Sequence, residues 1–175
     1  GVLFDKDGTL SHSEPHLIEL ADARIEEIIR VFASRGASTD VQAQLLGLLK
    51  RAMGRCDSGL IPDGTLAVAS RQHNLLSTAT IFCLFDLSWP QALVLAEEIF
   101  DTVDRLHKDN ATEARLSART PLPYSKELLN ELHSAGVICA VISNDTRQGI
   151  EQFLQDHGLS NCITGIWSAN DSPCK

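Results

Sequence analysis

One short apolar strand opens this chain, two more close it, and about a hundred residues of helical periodicity lie between them. That order leaves few folds open. "GVLFD" reads as a short buried strand. "VICAVIS" and "CITGIW" are apolar runs without polar alternation, as expected of parallel strands covered on both faces. Helices flank "VICAVIS": Ser125 to Ala135, closed by Gly136, and Asn144 to His157, closed by Gly158. The economical reading is a parallel α/β domain interrupted after its first strand by an all-helical insertion. The spacing places the α/β core at residues 1–12 and 119–175 and the insertion at residues 13–118.

Within the insertion, Leu17, Ile18, Ala21, Ile25, Ile28, Ile29 and Phe32 recur at helical spacing. A second helix runs from about Thr39 to Met53, and "GRCDSGLIPDG" reads as a loop by its Gly, Pro and Asp content. Ser88 and Gln91 have the spacing of a capping box for a helix reaching about His107, and a polar connector ending in two prolines leads back to the core.

Composition narrows the function. A net charge of −8 argues against a nucleic-acid partner. No run approaches the ~18 apolar residues of a membrane helix, and no signal peptide is visible. The five cysteines show no C-x-x-C pair and cannot all pair internally, so they read as reduced thiols of a cytoplasmic protein. The chain starts at glycine inside a strand and stops just after "NDSPC", so it is expected to be truncated at both ends. Nothing in the sequence speaks to oligomeric state.

The first strand ends in "DKDGTL". In an extended segment Asp5 and Asp7 point the same way and Lys6 the other. Gly8 permits a tight turn and a close backbone approach to a ligand, and Thr9 adds a hydroxyl and an amide. Two carboxylates on one face can divide the labour of phosphoryl transfer, one as nucleophile and one as acid and base. A solvated turn after a strand explains the same residues. A calcium loop does not, because Leu10 and His16 stand where an EF-hand needs Gly and Glu.

"LFDKDGTL" resembles the first motif of the haloacid dehalogenase-like superfamily, and two further motifs follow in order. "AVISND" resembles the second, a strand ending in Ser or Thr, and Lys175 in "DSPCK" resembles the third-motif lysine. The fourth motif, a pair of acids after a later strand, would lie beyond Lys175. The resemblance implies a Rossmann-like core with a helical cap, closest in type to phosphoglycolate phosphatases. An acid at the place of Asp7 is expected of phosphatases and phosphomutases, and not of the family's dehalogenases, phosphonate hydrolases or ion pumps.

By that resemblance Asp5 attacks the phosphate ester, Asp7 protonates the leaving alcohol and then serves as base, and Lys175 neutralises charge. Ser143, Asn144, Gly8 and Thr9 would hold the phosphate, although Ser143 and Asn144 also suit a helix cap. Mg²⁺ would rest on Asp5 and Asp7, with a further ligand beyond Lys175. Crowding of the two carboxylates is expected to keep a proton on Asp7. His12 at the hinge, and Arg51 and Arg55 at the end of a cap helix, are candidates for contacting substrate, the arginines reading more readily as solvated helix-end residues. The expected activity is Mg-dependent hydrolysis of a small phosphorylated metabolite. A phosphosugar mutase and a catalytically silent binding relative are the alternatives.

Overall fold

The fold is that of a computed structural model, which describes residues 1–109 and 120–171. In chain order it runs β1 (Val2–Phe4), α1 (Glu14–Ser34), α2 (Thr39–Met53), β2 (Arg55–Cys56), β3 (Gly59–Leu60), α3 (Thr65–Val68), α4 (Arg71–Cys83) and α5 (Trp89–Asp109). There follow α6 (Ser125–Ser134), β4 (Cys139–Ile142), α7 (Arg147–Asp156), a short 3₁₀ turn (Ser160–Cys162) and β5 (Gly165–Trp167). The chain divides into two compact units, Gly1–Glu14 with Glu113–Lys175, and Pro15–Thr112.

In the first unit the strands form a parallel sheet of order β1-β4-β5. Register is set by Val2 opposite Cys139 and Ala140 opposite Gly165. Cys139, Ala140 and Val141 are buried, which explains the unbroken apolar run of the central strand. α6 and α7 supply Leu129, Ile150, Phe153 and Leu154 to the same core, with Leu10 beneath the turn after β1. Among the described residues β1 is an edge strand, and Leu3 is 67% exposed on it.

The second unit is a helical assembly built around Phe32, Phe82 and Phe100, with Leu45, Leu49, Leu75 and Ile99 packed among them. Ser38 caps α2 by accepting the Val41 amide, and Ser70 caps α4 through the His73 amide. At α5 only the reciprocal half of the expected box forms: the Ser88 amide and hydroxyl both donate to the Gln91 side chain. The stretch after α2 is more ordered than its loop composition suggests. Arg55 and Cys56 pair antiparallel with Leu60 and Gly59, because Gly54 at φ 72° turns the chain sharply out of α2 and Arg55 bonds the carbonyls of Cys56 and Gly59.

Asn144 does not begin a helix. α7 starts at Arg147, capped by Thr146, whose hydroxyl accepts the Gly149 amide at 3.1 Å. Ser143 and Asp145 instead form a turn between β4 and the helix, closed by the Asp145 amide donating to Ser143 Oγ at 3.2 Å. The connector residues Lys108 to Arg119, and Lys175, lie outside the residues whose side chains are described.

Candidate active site

The carboxyl ends of β1 and β4 lie side by side, so the residues that follow them share one edge of the sheet, where open α/β sheets bind ligands. After Phe4 the chain leaves the strand. Lys6 O gathers the turn by accepting the amides of Leu10 and Ser11, each at 2.9 Å. Gly8 closes it with φ 79°, a conformation that a side chain resists. The amides of Gly8 and Thr9 point inward, to Ser11 O at 2.9 Å and Lys6 O at 3.4 Å.

The pairing of β1 with β4 brings the loop carrying Asp5 beside the loop carrying Ser143, close enough for Ser143 to act on the Asp5 carboxyl. The Lys6 amide donates to Asp5 Oδ1 at 2.7 Å. Asp5 remains open to solvent on one side, yet the protein around its carboxyl desolvates it enough to push its pKa above the ordinary carboxylate value. The charge of Asp7 adds to the upward shift, while the Lys6 amide, the Lys6 charge and Ser143 act against it.

The alternation of an extended segment breaks at Lys6. Its side chain is 4% exposed and turns back to put Nζ 2.6 Å from Asp7 Oδ1 and 3.0 Å from Asp145 Oδ2. The bend at Lys6 allows this, since the period of two holds only for extended backbone. The pairing of Lys6 with Asp145 was not legible from spacing. The signal was a lysine between two acids, a residue that is seldom buried without a counter-charge.

The remaining candidates lie on other elements. Asn144 is exposed between Ser143 and Asp145. His12 is exposed, with its amide bound to Thr120 O at 2.8 Å. In the second unit Arg51 is exposed, with Nε on Gly47 O at 3.3 Å. Arg55 already has a carboxylate: it forms a fork with Asp22, Nε to Oδ1 at 2.9 Å and Nη2 to Oδ2 at 3.0 Å. That engagement, together with its two carbonyl contacts, makes it a brace of the β2–β3 turn and not an open anion receptor.

Among the described residues no group of three or more His, Cys, Asp or Glu could hold a metal ion. The donors after β1 are hard oxygens from Asp5 and Asp7. They fit a cation that takes one or two carboxylates and keeps several waters, which is the habit of Mg²⁺.

A family model described as a hydrolase, haloacid dehalogenase-like hydrolase, matches residues 1–173. The fold is similar to a predicted phosphoglycolate phosphatase from Haemophilus somnus 129PT, with TM-score 0.53 and 16% identity over 98% of this chain and 63% of that one. An L-2-haloacid dehalogenase from Xanthobacter autotrophicus, solved with chloropropionic acid covalently bound, aligns with TM-score 0.36 and 15% identity over 95% of this chain and 55% of that one. This chain thus spans less than two thirds of either structure. No curated protein matches it. At these identities the likeness to the first structure is one of fold.

Proposed function

This chain belongs to the haloacid dehalogenase-like hydrolases, and we propose that within that family it is a magnesium-dependent phosphatase of a small phosphorylated metabolite. The observation that carries the reading is the parallel pairing of β1 with β4, which sets the loop of Asp5 and Asp7 beside the loop of Ser143. A nucleophile and a hydroxyl able to bind a phosphate oxygen then share one edge of the sheet, and a second acid lies within the same turn. The second acid also favours phosphoester over haloacid chemistry, because a leaving alcohol needs a proton and a leaving halide does not.

In this mechanism Asp5 attacks phosphorus in line, the P–O bond to the alcohol breaks, and an aspartyl-phosphate forms. Asp7 gives the departing alkoxide its proton and later takes one from the water that cleaves the acyl phosphate. Ser143 donates to a phosphate oxygen, and Lys175 supplies positive charge to the transferred group. The Asp5 carboxylate and the Asp7 backbone oxygen would hold magnesium, which would supply Lewis-acid screening of phosphate charge. The four described cysteines are free thiols, and we place the protein in the reducing cytoplasm on that basis. Among the described residues no helix is long and apolar enough to cross a membrane.

The test is release of phosphate from an aryl phosphate with Mg²⁺ and with chelator. Asp5→Asn should abolish turnover, since an amide is no nucleophile. Turnover near wild type in that variant would sink the mechanism.

A further inference from the structure

Lys6 stands between the two proposed catalytic aspartates, yet the proposed chemistry makes no use of it. Its burial at 4% side-chain exposure is answered by two carboxylates, Asp7 at 2.6 Å and Asp145 at 3.0 Å, with Nζ 5.9 Å from the centre of the Phe153 ring. Asp145 is in turn a junction of three loops. Its Oδ2 meets Lys6 after β1, its amide donates to Ser143 Oγ at 3.2 Å after β4, and its carbonyl accepts the Ala169 amide at 3.1 Å after β5. Its Oδ1 also accepts the Thr146 amide at 2.6 Å, which fixes the carboxylate plane.

The seat for that carboxylate depends on a missing side chain. A Cβ at Gly149, in the first turn of α7, would stand 2.6 Å from Asp145 Oδ2 and 2.9 Å from Oδ1. Gly149 has helical backbone, where glycine costs about 1 kcal/mol against alanine. Its presence there serves the carboxylate and not the helix.

We propose that Lys6 and Asp145 are positioning residues, whose ion pair locks the loop carrying Asp5 and Asp7 to the loop carrying Ser143 and holds the Asp7 carboxylate in place. A buried ion pair is poor evidence of stability, because apolar replacements of both partners are often neutral. It is better suited to fixing register between two loops that must present reacting groups to one phosphorus, where a misplacement of about 1 Å can cost a hundredfold in rate. The inference rests on the proposed reaction for its kinetic readout and on the geometry alone for its spectroscopic one.

The experiment compares Lys6→Met, Asp145→Asn, their double variant and Gly149→Ala in the full chain, by kcat and KM on an aryl phosphate and by backbone amide resonances. Each single variant should lower kcat roughly ten- to a hundredfold with little change in KM. The double variant should be no worse than the worse single, as coupled residues require. Gly149→Ala adds helix propensity and leaves every charge in place, and a wild-type helix signal and melting midpoint in that variant separate its loss of kcat from unfolding. Wild-type kcat in Gly149→Ala, or losses that multiply in the double variant, overturns the proposal. If the wild type releases no phosphate, the proposed function fails, and the amides decide. Shifts at Asp5, Asp7 and Gly8 in Asp145→Asn and Gly149→Ala support the lock, and unmoved resonances overturn it.

Discussion

Asp104→Ala should destabilise the helical unit by about 3–5 kcal/mol, far more than an ordinary surface carboxylate. Asp104 on α5 holds two arginines: Arg24 Nη2 of α1 at 2.9 Å and Arg71 Nε of α4 at 2.7 Å. Arg24 decides the magnitude. It is 3% exposed, lies with its guanidinium carbon 4.0 Å from the centre of the Phe100 ring, and its Nε has no hydrogen-bond partner. Burial pushes its pKa down, and Asp104 is what opposes that. Opposite charges near 4 Å interact by about 4 kcal/mol at an effective dielectric of 20, in line with the cost of stranding a buried charge. Arg71 keeps Asp101 at 2.6 Å and is more exposed, so its share should stay under about 1 kcal/mol. Urea denaturation followed by helix signal is the assay. With a slope of about 1.5 kcal/mol/M the midpoint should fall by about 2–3 M. Replacing both partners, Arg24→Met with Asp104→Leu, should cost less than Asp104→Ala alone. A single-variant loss below about 1 kcal/mol, or a double variant worse than the single, would refute the claim that Arg24 depends on this carboxylate.

Asp7→Asn should reduce phosphate release by roughly 10²–10⁴-fold without loss of fold, since Lys6 keeps Asp145 as counter-charge; a collapse of the helix signal would instead make Asp7 structural. Acid should weaken the helical unit through Asp104. Burial raises its pKa, but Arg24 and Arg71 together outweigh that and leave it lowered. A lowered native pKa gives stability that is fully present above the unfolded value of about 3.9 and is lost as pH falls through the native one. Stability measured from pH 5 downward should therefore fall less steeply in Asp104→Asn than in wild type, and parallel curves would exclude the linkage. Gly54→Ala should cost at least about 1–2 kcal/mol in thermal or urea melts, because its φ is 72° and an added Cβ would lie 2.7 Å from Gly64 Cα; an unchanged midpoint would mean the β2–β3 turn shifts freely.

The sheet and the helical insertion were legible because each rests on a periodicity that burial imposes on sequence. Cys139, Ala140 and Val141 are buried on both faces of the central strand, and their run of apolar residues says so without the structure. Ala21, Ile25, Ile28 and Phe32 are buried on one face of α1, at the spacing a helix requires. The β2–β3 turn was not legible. Its ordering comes from the Arg55–Asp22 fork, and those residues lie thirty-three positions apart in sequence. Periodicity carries no record of a contact that distant. The Arg24–Asp104–Arg71 group is hidden for the same reason, since its members sit on three different helices.

The site divides along the same line. Asp5, Asp7 and Ser143 were named as candidates through the family motifs their segments resemble, and each lies after a strand whose end meets one edge of the sheet. What spacing could not supply is how the loops after those strands are held to each other. An extended reading of "DKD" sends Lys6 away from both aspartates, and that reading fails once the chain bends at Lys6. The side chain then reaches Asp7, its neighbour, and Asp145, far along the chain. Desolvation by the surrounding protein raises the Asp5 pKa, and the charge of Asp7 adds to it. In physical terms topology brings the candidate residues to one edge, and on the proposal above one buried cation sets their mutual geometry. Substitutions at Lys6 should therefore lower turnover, by less than substitutions at the acids, although Lys6 touches no reacting atom in the proposed mechanism.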